Sequence, residues 1–158
     1  ILLIIQPRHP DRSNKIISLL KKRNLIFKQR SKKEVPNKTT KVFLFDTFGE
    51  TGLLMSISNI IILGGTLVSI GGHNPVEAAQ FGKCIVVGPY DNKIEEIVND
   101  FLKHRAIKKI KKSEQLDYLL EKLIYDKKQL KTLSFNAKKL TKKYLNTASF
   151  IYKKIESF

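Results

Sequence analysis

Tryptophan is missing from this chain, cysteine and methionine occur once each, and only 14 Asp and Glu stand against 30 Lys and Arg. The single cysteine, Cys84, lies inside the apolar run CIVV. That excludes an internal disulfide and argues against a cysteine metal site, and it fits a reducing, cytosolic setting. No apolar run approaches the roughly 20 residues that cross a bilayer, and no secretory signal pattern is present, so the fragment itself reads as soluble. Eight Gly and five Pro against 42% apolar residues argue against disorder. A length of 158 residues suits one domain spanning 1–158. An initiating methionine is also missing: the chain opens at Ile1 in the middle of ILLII, which suggests a fragment of something longer.

The formal charge of +16 is unevenly distributed. Residues 103–154 hold 16 Lys and Arg against four Asp and Glu, whereas 46–91 hold one Lys and four Asp and Glu. A basic carboxyl-terminal region invites an anionic partner such as a membrane surface. A plain solvated helix surface accounts for it equally well, because the lysines alternate with apolar residues at helical period. No recognition module or interleaved stacking aromatics are readable, so nucleic acid is not an expected partner.

Short apolar runs at 1–5, 25–27, 42–45, 60–63 and 84–87 alternate with amphipathic segments after Ser13, from Gly49, from Asn74 and from Asn92. Continuous rather than alternating hydrophobicity marks strands buried on both faces. The rhythm predicts an α/β fold, a doubly wound parallel sheet with helices on both sides. A short strand at AIKKI and two basic helices follow, the first capped by Ser113. The charged stretch 28–41, with Pro36, reads as a mobile surface loop.

In such folds ligands gather beyond the carboxyl ends of the strands, and there the distinctive words sit: QPRHPDR, DTFGE, GGTLVSIGGHNPVE and GPYDN. Asn74 suits a helix N-cap, Pro75 the first helical position, and Glu77 the third place of a capping box, with Val76 between them. A well-started helix and a nucleotide site account for these four residues equally well: free amides and the helix dipole favour phosphate, and a carboxylate can accept from both hydroxyls of a ribose. Gly64-Gly65 and Gly71-Gly72 permit close backbone approach. The pattern is neither a Walker loop nor a G-x-G-x-x-G dinucleotide fingerprint. Arg8 could pair bidentately with a phosphate, and His9 and His73 could donate hydrogen bonds or act as acids. Asp46 and Glu50 could grip a sugar or base, although Asp46 also fits turn chemistry. The backbone amides of Phe48, Gly49 and Glu50 precede a helix and could face the crevice. No spacing supports a metal site, and no cofactor is expected.

With these residues assembled, the chain resembles the carboxyl-terminal half of the bacterial Kdo transferases. These are GT-B glycosyltransferases that move 3-deoxy-D-manno-octulosonic acid (Kdo) from CMP-Kdo to a lipid A precursor. The matching words are PRHP (7–10), DTFGE (46–50), LGGTLVSIGGHNPVEAAQFGK (63–83) and GP (88–89), in the family's order. The resemblance implies a CMP-binding surface of Pro7, Arg8, Phe48, Gly49, Glu50, Asn74, Pro75, Val76 and Glu77, with His9, Gly71, Gly72 and His73 as further candidates. Arg8 would hold the phosphate and Glu77 the ribose hydroxyls. The match weakens at GPYDN, where the family has a His and then Asn-Phe after GP, and Phe48 stands where Met is common.

The resemblance also implies that the catalytic general base, a glutamate, belongs to an amino-terminal domain absent from this chain. The fragment would then bind the nucleotide-sugar donor without turning it over. The complete enzyme would be inverting and metal-independent, and would work at the cytoplasmic face of the inner membrane in lipopolysaccharide synthesis. Two other readings fit the residues: a GT-B transferase or epimerase using a UDP-sugar, and a non-catalytic basic interaction module.

Overall fold

The structure, a computed structural model, describes residues 1–72 and 74–156. It divides into two compact units, Ile1–Leu54 and Met55–Phe158, the boundary falling inside helix α2 (Thr51–Ile57). Each unit carries a three-stranded parallel sheet. The α/β class with parallel strands is thus as the sequence indicates, with the strands hydrogen-bonded in two sets of three.

In the first unit, β1 (Leu3–Ile5), β2 (Phe27–Gln29) and β3 (Val42–Leu44) lie in the order β1-β3-β2. Central β3 buries Val42 and Leu44, and Phe45 just beyond it is also buried. Helix α1 (Ser13–Lys22) contributes Leu20 to the core, and just beyond its end Asn24, with φ of 52°, turns the chain toward β2. The register aligns Ile5, Leu44 and Gln29 in one row, so the segments that follow all three strands leave from one edge of the sheet.

In the second unit the order is β4 (Ile60–Ile62), β5 (Cys84–Val87), β6 (Lys108–Lys109). All four residues of β5 are buried because alternate side chains point to opposite faces. Cys84 and Val86 pack with Leu123 of α5 (Leu116–Tyr125) and Leu133 of α6 (Lys127–Glu156). Ile85 and Val87 pack with Val76, Ala78 and Ala79 of α3 (Pro75–Gln80) and with Val98 and Phe101 of α4 (Glu95–Lys103). Burial pushes the Cys84 thiol up to about 11, which keeps it protonated and unreactive.

Three local expectations are corrected. The strand near residue 25 is shifted to 27–29, because Gln29 is held inside the unit by the Asp46 carboxylate. Ser113 does not cap the fifth helix: it opens a one-turn 3-10 helix, Ser113–Gln115, and the Gln115 side-chain oxygen accepts from the amides of Lys111 and Lys112 at 2.9 and 3.2 Å. Stretch 28–41 is tied down rather than free. The Ser31 amide donates to Asp46, Glu34 accepts from the Gln29 amide, and Asn37 Oδ1 accepts from the amides and hydroxyls of Thr39 and Thr40.

Candidate functional site

In the first unit, Pro7, Arg8 and His9 follow β1. Arg8 and His9 are exposed and Pro7 is half-buried. Arg8 has no hydrogen bond or ion pair among the described residues, so its guanidinium is available to a ligand. The residue before Pro7 is anchored: Gln6 Nε2 donates to Thr51 Oγ1 at the start of α2, 3.0 Å away. A 3-10 turn, Pro10–Arg12, then leads into α1.

Beyond β3, the DTFGE segment does two different jobs. Asp46 is structural. It is buried and accepts from Gln29 Nε2 (2.6 Å), the Ser31 amide (2.9 Å) and the Ser31 hydroxyl (2.7 Å). Burial alone would raise its pKa, but these hydrogen bonds outweigh it and hold the carboxyl below its usual range. Glu50 has both carboxylate oxygens engaged, with Arg30 Nη2 at 2.8 Å and Thr47 Oγ1 at 2.6 Å. The Arg30 bond is the main cause, and the Thr47 bond the second, of a Glu50 pKa below the ordinary value. Phe48, 74% exposed, and Gly49, with φ of 81°, form the tip of the turn. Their amides make no hydrogen bond among the described residues. What this turn can offer a ligand is therefore backbone N–H groups, since the Glu50 carboxylate is already taken.

In the second unit, Asn74 caps α3 as the sequence suggests, its Oδ1 accepting from the Val76 amide at 2.9 Å. Pro75 and Val76 turn their side chains into the core. The reciprocal half of a capping box is not made. Glu77 is exposed and has no hydrogen bond or ion pair among the described residues. Its carboxylate remains available, which capping alone does not require. His73, the other candidate here, lies outside the described residues.

The glycine-rich loops before α3 are organised by Thr66, a residue the sequence did not single out. Fully buried, Thr66 donates from its hydroxyl to the Leu63 carbonyl at 2.6 Å and accepts from the Gly88 amide at 2.6 Å. Its carbonyl accepts from the Tyr90 amide at 2.9 Å. A Cβ on Gly72 would strike the Thr66 methyl, and one on Gly88 would strike its carbonyl. These glycines are there because two loops close around one threonine. Gly71, with φ of 84°, lines a cavity of about 150 Å³ with Ser69, Ile70, Tyr90, Asn92 and Lys93. Asp91, almost fully buried, pins the GPYDN loop through Lys109 Nζ at 2.7 Å.

The sequence could have flagged Thr66 only through its place between two glycine pairs, and Arg30 only through its distance beyond a strand end. Among the described residues no group of three or more His, Cys, Asp or Glu is placed to hold a metal, and no helix is long and apolar enough to cross a membrane. The basic helices are partly core: Leu133, Ala137 and Leu140 of α6 are buried, while Lys128, Lys131, Lys138, Lys139 and Lys142 are exposed.

Compared with known proteins, the chain is 35% identical over 134 residues to the 3-deoxy-D-manno-octulosonic acid transferase of Haemophilus influenzae, covering 84% of this chain and 31% of that protein. It is 36% identical over 154 residues to the transferase of the same name from Rickettsia conorii, covering 91% and 33% respectively. The chain thus spans about a third of the length of the curated relatives it matches. Its fold is similar to the crystal structure of the C-terminal CMP-Kdo binding domain of WaaA from Acinetobacter baumannii, with a TM-score of 0.82 at 28% identity. That match covers 86% of this chain and 71% of the other. No protein-family model matches.

Proposed function

We propose that the chain, which belongs to the bacterial Kdo transferase family and is similar in fold to a C-terminal CMP-Kdo binding domain, binds the CMP moiety of CMP-Kdo. Arg8 pairs with the phosphate, the Phe48–Glu50 turn offers backbone amides, and Glu77 accepts from the ribose hydroxyls. Pro75, Val76 and Asn74 set the helix start from which Glu77 projects. The observation that carries the reading from fold to ligand is the exposed Glu77, left without a partner among the described residues although Asn74 has made the cap. An exposed carboxylate in the first turn, with the cap already made without it, fits a hydrogen-bond acceptor for a diol.

The larger protein would transfer Kdo to a lipid A precursor at the cytoplasmic face of the inner membrane, with the general base supplied from outside this chain. A bidentate arginine lowers the cost of the negative charge that develops on the departing CMP phosphate, which is the electrostatic part of such catalysis. The exposed lysines of α6 suit an anionic membrane surface.

The test pairs a side chain with the ligand group it is assigned. Wild type should bind CMP about tenfold or more tightly than 2′-deoxy-CMP, the worth of a hydrogen bond to a charged acceptor. Glu77→Ala should bind the two alike. A Glu77→Ala protein that still discriminates would remove Glu77 from the ribose.

A further inference from the structure

Arg30 takes no part in the reading above, yet more contacts fix it than a surface arginine needs. It leaves β2 at the same edge of the sheet from which the segment after β3 emerges, since Gln29 and Leu44 are register partners. Its amide donates to the Leu44 carbonyl at 2.9 Å. Its guanidinium sits 5.7 Å from the centre of the Phe45 ring and donates from Nη2 to Glu50 at 2.8 Å. Thr47 closes the other side of the same carboxylate at 2.6 Å. The adjacent Ser31 fastens Asp46 through both its amide and its hydroxyl. Arg30 and Ser31 thus hold the first and last residues of DTFGE, and the Phe48-Gly49 tip is stretched between two fixed points.

Stability alone explains this poorly, because a partly exposed ion pair contributes little to folding. Geometry explains it better. Gly49 is held at positive φ, and the two amides at the tip have no partner among the described residues. We propose that Arg30 is a positioning residue for nucleotide binding: acting through the Glu50 carboxylate, it holds the Phe48–Glu50 turn in the shape that presents its amides. The inference rests on the reading of that turn as part of the CMP surface. It gives the Glu50 carboxylate a role in fixing the turn, in place of direct contact with a sugar or base.

The experiment is a CMP titration of the 158-residue chain as wild type, Arg30→Ala, Arg30→Lys, Glu50→Gln and the Arg30→Ala/Glu50→Gln double variant. Melting temperatures and the amide NMR signals of Phe48 and Gly49 are followed in parallel. Arg30→Ala and Glu50→Gln should each weaken CMP binding about tenfold, and the double variant should be no worse than either, as expected of residues acting as one unit. Arg30→Lys should recover part of the loss. The tip amides should shift in both single variants while the melting temperature moves by no more than about 4 °C. Additive losses would overturn the inference by showing that Arg30 acts on the ligand independently of Glu50, and unchanged affinity in a folded Arg30→Ala would overturn it outright. Should Arg30→Ala fail to fold, Glu50→Gln decides alone: unchanged CMP affinity refutes the role. A folded wild type that does not bind CMP is a separate result, which sinks the proposed function and this inference with it.

Discussion

Replacing Thr66 with valine changes one atom's chemistry at constant shape, and its cost can be worked from three distances. The hydroxyl donates to the Leu63 carbonyl and accepts from the Gly88 amide, both at 2.6 Å. Valine has nearly the same volume, so no cavity opens and the methyl facing Gly72 is kept. The new methyl must also draw back from two polar atoms that the hydroxyl approached to 2.6 Å. The Leu63 carbonyl keeps its bond from the Thr66 amide at 2.9 Å, but the Gly88 N–H is left in a buried position with no acceptor. Two lost hydrogen bonds at about 1 kcal/mol each, plus about 1–2 kcal/mol for the orphaned donor, give about 3–4 kcal/mol. For a chain of this size that lowers the melting temperature by about 6–16 °C. Thr66→Ser keeps the hydroxyl and should cost no more than about 1.5 kcal/mol, the worth of the lost methyl. Thermal and urea unfolding followed by circular dichroism measure both. If valine is tolerated as well as serine, the hydroxyl does not join the two loops and the account of Thr66 is wrong.

Further outcomes follow from the same structure. Gly88→Ala should destabilise the second unit severely, because the new Cβ meets the Thr66 backbone, whereas Gly64→Ala, with nothing within 4 Å of its Cβ, should be tolerated; comparative unfolding midpoints decide. Leu123→Ala should cost about 2–5 kcal/mol, since Leu123 is fully buried against β5. Asp46 and Asp100 both have lowered pKa values. For Asp46, bonds from Gln29 and Ser31 overcome burial; for Asp100, Tyr144 and Lys143 donate to it. Groups depressed in the folded state contribute stability that is complete above about pH 5 and lost as pH falls through the lowered values. Asp46→Asn should therefore flatten the acid limb of the stability profile, and a limb as steep as wild type would contradict the assignment.

What could be read in the sequence divides along physical lines. Continuous apolar runs revealed β1, β3, β4 and β5, and in β5 the run reflects burial on both faces, which leaves no polar alternation. The Cys84–Val87 run is the clearest, with one face on α3 and α4 and the other on α5 and α6. The Asn74 cap was legible because its chemistry is local. Arg30 was not, since it lay in a charge-rich stretch read as loop, and its importance depends on β2 pairing with β3, a nonlocal fact. Buried Gln29 moved the strand by two residues for the same reason: its partner, Asp46, is 17 residues away. The carboxyl-terminal lysines drew attention to an anionic partner, while the apolar residues between them turned out to pack α6 onto β5 and α3. Glu77 was read as both cap and ligand contact, and the structure shows only that its half of the capping box is not made.

The central claim is that this chain recognises the cytidine monophosphate half of a nucleotide-sugar. Calorimetric titration of CMP, UMP and UDP into the 158-residue chain tests it most directly. The account predicts saturable binding with CMP preferred, weakened by Arg8→Ala and by Glu77→Ala. Preference for UDP would point to a different donor, and equal binding of all three nucleotides by wild type and both variants would contradict the site.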